Sequence, residues 1–166
     1  EFDRSFLTLQ PTMGLITNLD LEHLDCYKNL KDLQNAFTQF ANAVPFYGKI
    51  GVCIDYTNTV AILPDIKRPI VTFGLHKDAE VRGLNLRYNE NLTIFDVKVK
   101  NENMGEFRIN APGEHNVKNA LGAMTMALEL DIPFEKIQKG LEHYKGVRRR
   151  FDMKYTLENG IIIVDD

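Results

Sequence analysis

Two hydrophobic periodicities divide this chain, and their order constrains the fold more than any other feature. Residues 13–17 read as a short buried strand, and 29–44 carry apolar residues at helical spacing with Asn29 as a plausible cap. Residues 50–54 read as a strand, 57–63 as a short helix broken before Pro64, and 69–73 as a strand closed by Gly74. This βαβαβ rhythm predicts parallel strands covered by helices. Beyond it the period changes to two: 80–88, 92–99 and 105–110 alternate as strands, separated by asparagine-rich turns, and predict an antiparallel group attached to the parallel sheet. Helical spacing returns over 116–130 and 134–144, and two strands close the chain at 151–157 and 161–164. The expected class is α/β, a mostly parallel sheet flanked by helices with an added antiparallel strand group.

The 166 residues are enough for one domain. Lys and Arg number 20 against 23 Asp and Glu, a net charge of −3, so no large positive field exists to hold a nucleic-acid backbone or an anionic membrane surface. There is no apolar run of the ~18 residues that a bilayer span needs, and the first residues, Glu1 to Ser5, do not read as a signal peptide. A soluble, cytoplasmic protein is expected. Cys26 and Cys53 stand in unrelated contexts and read as reduced structural thiols, and Met104, Met124 and Met126 as core filler. The chain begins at Glu1 and stops just after the apolar run 161–164, so a segment of a longer protein is expected.

Four clusters could carry chemistry. Asn18, Asp20, Glu22, His23 and Asp25 follow the first strand, where carboxyl ends of parallel strands face a ligand crevice. His23 could ligate a divalent metal or meet a phosphate; a solvated loop whose acids cap the next helix is the alternative. Gly113 turns into a helix that opens with His115 and Asn116, and Asn116 and Asn119 share a face that could read a nucleobase edge. Simple polar capping would give the same pattern. Arg148, Arg149 and Arg150 could clamp phosphates or form a solvated basic turn, and Asp165 and Asp166 end an apolar strand where carboxylates often meet a ribose. His76 and His143 receive no role, and Ser5 has no histidine base beside it.

In order, these pieces resemble the central, ATP-binding domain of the Mur ligase family. The resemblance is carried by Glu1-Phe-Asp-Arg-Ser-Phe-Leu7, Thr17-Asn18 through His23-Leu24-Asp25, Pro45-Phe46-Tyr47-Gly48, Pro112-Gly-Glu-His-Asn-Val-Lys-Asn-Ala120, Gly146 to Phe151 and Val164-Asp165-Asp166, from one end of the chain to the other. It implies a fold like that of the P-loop NTPases and a cytoplasmic, ATP- and Mg2+-dependent ligase of peptidoglycan precursor synthesis. The segment 44–48 and the absence of lysine from 33–37, where several sister ligases carry a carbamylated lysine, resemble the branch that joins L-alanine to UDP-N-acetylmuramate. A murein-peptide recycling ligase and a non-catalytic nucleotide-binding module of the same fold are the alternatives; a folate polyglutamating ligase is disfavoured by Pro45 to Gly48.

The resemblance further implies that the substrate carboxylate attacks the γ-phosphate of ATP and that the amine of L-alanine then displaces phosphate from the acyl phosphate. Positioning and stabilisation of spread negative charge dominate such chemistry. By the same resemblance His23 would bind magnesium with Asn18 and Asp25 supporting its loop, His115, Asn116 and Asn119 would contact adenine, Arg150 the phosphates, and Asp166 the ribose. Glu22 stands where the family has aspartate, and Arg148 and Arg149 receive no role. The phosphate loop and the amino- and carboxy-terminal domains are expected outside these residues, so the chain alone is predicted to be inactive.

Overall fold

The computed structural model describes residues 3–20, 26–89 and 92–144, and the backbone of 152–156 and 162–165. Strands β1 (Met13–Ile16), β2 (Lys49–Cys53), β3 (Ile70–Gly74), β4 (Val81–Asn89), β5 (Leu92–Val99) and β6 (Glu102–Ile109) form one sheet in that spatial order. β1 to β4 pair in parallel, and β4, β5 and β6 pair antiparallel. β4 meets β3 only through Phe73↔Val81 and Gly74↔Arg82 and then runs on past the end of β3, so the antiparallel group extends beyond the carboxyl edge of the parallel strands. β7 (Asp152–Thr156) and β8 (Ile162–Asp165) form a separate antiparallel pair.

Alternation along β2 distributes the core over both faces of the sheet. Ile50 and Val52 join Ile16, Leu33, Ala36 and Val44 in a buried cluster beneath α1 (Leu30–Ala43). Cys53 points the other way, into a cluster with Phe73, Phe95, Phe107, Val117, Leu121 and Met124 beneath α3 (Glu114–Glu129). α4 (Phe134–His143) packs on β6, with the Phe134 ring edge-on to Phe107 at 4.9 Å between centroids. Burying these rings supplies the dispersion and area terms that hold the antiparallel group to its helices.

Local chemistry explains the element ends. Asn29 caps α1 by accepting from the Asp32 N–H, as its side chain predicts. The helix expected over 57–63 is shorter: α2 (Thr57–Val60) ends early, and Pro64 lies inside a separate 3-10 turn, Leu63–Asp65, at a first-turn position that needs no N–H. The last strand of the antiparallel group begins at Glu102, not 105, because Lys100 takes the left-handed turn conformation (φ 55°) and the loop closes sooner than the asparagines suggest. α3 starts at Glu114, two residues before the expected Asn116. A 3-10 turn at Ser5–Thr8 was not expected; Phe6 from it packs against Phe37 and Phe40 of α1. Both cysteines are free, Cys53 buried and Cys26 half-buried, and Met124 is fully buried, as expected. Among the described residues no helix is long and apolar enough to cross a membrane.

Candidate functional site

Parallel register aligns the carboxyl ends of β1, β2 and β3 at one edge of the sheet. The residues that follow these ends are tied to one another and to the start of α3. Asn58 of α2 donates to the carbonyl of Leu19, just beyond β1, at 2.8 Å. Thr59, fully buried, donates to the Cys53 carbonyl at the end of β2. Asp55 accepts from the N–H of Leu75 through both carboxylate oxygens, at 2.8 and 2.9 Å, and from the N–H of His76 at 2.8 Å. That turn is possible because Gly74 has φ 144°; a Cβ there would collide with the Asp55 carboxylate.

α3 brings its first turn to this edge. Gly113 (φ 96°) is its cap residue and offers no side-chain cap, and its carbonyl accepts from the Asn116 N–H at 3.2 Å, so donor capacity in the first turn rests on the amides of Glu114 and His115. The His115 ring lies back against Gly113, close to where a Cβ of that residue would stand, and His115 and Asn119 are exposed. Asn116 is half-buried and donates from Nδ2 to the Pro112 carbonyl at 2.6 Å, leaving its Oδ1 able to accept. The arrangement suits a flat polar ligand with donor groups. Asn18, after β1, is exposed and donates to Asp20 at 2.9 Å.

The fold thus gathers His115, Asn116 and Asn119 on one turn and sets Asn18 in the loop after β1. Glu22, His23, Asp25, Arg148, Arg149, Arg150 and Asp166 lie outside the described residues. Among the described residues no group of three His, Cys, Asp or Glu side chains is placed to hold a metal ion.

One cluster at this edge, built around Lys118, was not evident from the sequence. Lys118 donates to Glu114 Oε1 at 2.7 Å and to the Tyr56 hydroxyl at 3.3 Å, lies 4.6 Å from the centre of the Tyr56 ring, and sits 3.9 Å from Asp55 Oδ2. Burial opposes its charge, but the hydrogen bonds to Glu114 and Tyr56 outweigh that and raise its pKa above the ordinary lysine value. The spacing of Glu114 and Lys118 was the available signal; Asp55 and Tyr56 come from a distant segment. A cavity of about 230 Å3 lined by Lys49, Glu80, Lys100 and Glu129 opens at the opposite edge of the strands and is not part of this site.

The family model described as the Mur ligase middle domain matches residues 3–127. The UDP-N-acetylmuramate--L-alanine ligase of Salinibacter ruber (strain DSM 13855 / M31) is 45% identical over 166 residues, covering 100% of this chain and 35% of that protein. The crystal structure of the UDP-N-acetylmuramate-alanine ligase MurC from Thermotoga maritima superposes with a TM-score of 0.82 at 23% identity, over 99% of this chain and 36% of that one. The MurF ligase of Thermotoga maritima in complex with ADP gives a TM-score of 0.77 at 15% identity, over 93% of this chain and 35% of that one. The chain therefore spans about a third of the length of the relatives it matches.

Proposed function

Because the chain belongs to the Mur ligase middle-domain family, we propose that it is the nucleotide-binding part of an ATP-dependent ligase that adds L-alanine to UDP-N-acetylmuramate in the making of peptidoglycan precursors. The observation that carries this reading is the 45% identity, over 100% of this chain, to a relative named for that reaction. The first turn of α3 supports it from the geometry. Its donors, its exposed His115 and Asn119 and the free oxygen of Asn116 are chemically matched to a nucleobase that presents both donors and acceptors.

In this reading Asn116 Oδ1 accepts from the amino group of adenine while Nδ2 stays fixed on Pro112, so the acceptor is oriented before the nucleotide arrives. Asn119 adds a contact on the same helix face, and His115 lies against the base. ATP, when bound, supplies the phosphoryl group that activates the substrate carboxylate for attack by the amine of alanine. Arg150 at the phosphates, Asp166 at the ribose, and His23 at a magnesium ion with Asn18 and Asp25 supporting its loop are proposed on the resemblance of their motifs. Contacts to the sugar nucleotide and to alanine are assigned to parts of the protein outside these residues.

The test is phosphate release from Mg-ATP by the full-length protein, given UDP-N-acetylmuramate and each of L-alanine, glycine, L-serine and a tripeptide in turn. Release that peaks with L-alanine and disappears without the sugar nucleotide is expected. Release with the tripeptide alone would make the protein a murein-peptide recycling ligase.

A further inference from the structure

Lys118 holds a position that helix electrostatics disfavours. A cation in the opening turns of a helix faces the positive end of the macrodipole, yet this side chain is only 13% exposed. Its place is secured by three oxygen partners from two parts of the chain: Glu114 on its own helix, and Asp55 and Tyr56 beyond β2. Asp55, 8% exposed, is itself fixed by the amide groups of Leu75 and His76 beyond β3. One ammonium thus joins the ends of two parallel strands to the first turn of α3.

We propose that Lys118 is a positioning residue for nucleotide binding, and that through Asp55 and Tyr56 it sets the height and rotation of the α3 turn that presents Asn116 and Asn119. The inference rests on the reading of that turn as the nucleobase contact. At about 100° per residue, Lys118 points roughly 100° from Asn119 and 200° from Asn116. The ammonium therefore grips the helix from the sheet side and leaves the asparagine face open. Without it, Glu114 and the buried Asp55 carboxylate have no cation between them, and the turn keeps its apolar packing but loses its ionic tie to the end of β2.

The test compares Lys118→Met, Lys118→Arg and Asn119→Ala in the full-length protein, measuring ADP affinity by calorimetry, the KM for ATP against kcat, and the ligand-free melting temperature. Lys118→Met is expected to weaken ADP and raise the KM for ATP roughly tenfold, the scale on which lost preorganisation weakens binding, with kcat and the KM for L-alanine unchanged. Lys118→Arg keeps the charge and is expected to restore most of the affinity. Should Lys118→Met fail to fold, Glu114→Gln removes one exposed partner only and is expected to weaken ADP about two- to threefold. A folded Lys118→Met that melts lower but binds ADP as the unaltered protein does would reduce Lys118 to a structural role and overturn the inference. If that happens while Asn119→Ala weakens ADP, the nucleobase reading survives; if Asn119→Ala is also silent, both fall.

Discussion

Asp55 accepts the Leu75 N–H on both of its carboxylate oxygens, which makes one side chain beyond β2 the cap for the turn beyond β3. Removing it by Asp55→Ala strips the acceptor from the Leu75 and His76 amides and leaves Lys118 without its buried counter-ion. Urea unfolding should register a loss of about 2–4 kcal/mol, the usual scale for orphaning partners of a buried charged group. Asp55→Asn keeps one acceptor oxygen and should lose less.

Gly74 belongs to the same turn, and its φ of 144° is closed to ordinary side chains. Gly74→Ala should destabilise by about 2 kcal/mol or more, combining backbone strain with the collision against Asp55. The two terms separate in a double-mutant cycle. In an Asp55→Ala background the collision is gone and only the strain remains, so the added cost of Gly74→Ala should shrink by about 1 kcal/mol. Strict additivity would show that the carboxylate is not the obstacle.

At the proposed nucleobase contact, Asn116→Ala removes both the acceptor and the brace to Pro112. In the full-length protein the KM for ATP should rise by about tenfold with the KM for L-alanine little changed. Steady-state kinetics with each substrate varied in turn decides it, and equal rises in both constants would count against the adenine assignment.

Period and capping made the parallel half legible: Ile50 and Val52 alternate with Gly51 and Cys53 across the sheet, and Asn29 caps α1 where its side chain says it should. Turn chemistry misled where a non-glycine residue took the left-handed conformation, as Lys100 does, since asparagine and glycine are the residues that usually mark such bends. The site was legible in parts. Asn116 and Asn119 are close in sequence and declare a shared face, but the contact of Lys118 with Asp55 joins residues brought together only by the packing of α3 on β2. No local period encodes such a contact.

Arg4 clasps Asp32 with both terminal nitrogens, at 3.1 and 2.6 Å, and donates to the Cys26 carbonyl, fastening the segment before β1 to the start of α1. Its hydrogen bonds, with that from the Lys28 amide, hold the Asp32 carboxyl below the usual aspartate pKa. A depressed carboxyl pKa contributes stability that is present above the unfolded value of about 3.9 and is lost as pH falls through the folded one. Melting curves should therefore show the unaltered protein more stable than Arg4→Ala near neutrality, with the gap narrowing below about pH 4. A gap that stays constant into acid would assign the effect of Arg4 to its contact with the Tyr27 ring instead.

Cys53 reports on the opposite pH limb. Burial at the end of β2 pushes its thiol pKa up to about 11, against the opposing hydrogen bond from the Asp55 backbone amide. In the unfolded chain the thiol ionises near 8.5, so between these values the unfolded state has released a proton that the folded state keeps. Stability from this group is complete below about pH 8.5 and falls as pH rises towards the folded value, at no more than about 1.4 kcal/mol per pH unit. Urea unfolding should show the unaltered protein losing more stability from neutral to alkaline pH than Cys53→Ala, although the alanine variant starts lower because of its cavity. Thiol labelling near neutral pH gives an independent check: half-buried Cys26 should react in the folded protein and Cys53 only at the rate of unfolding. Rapid labelling of both would mean that the end of β2, and with it the Asp55 anchor, opens without global unfolding.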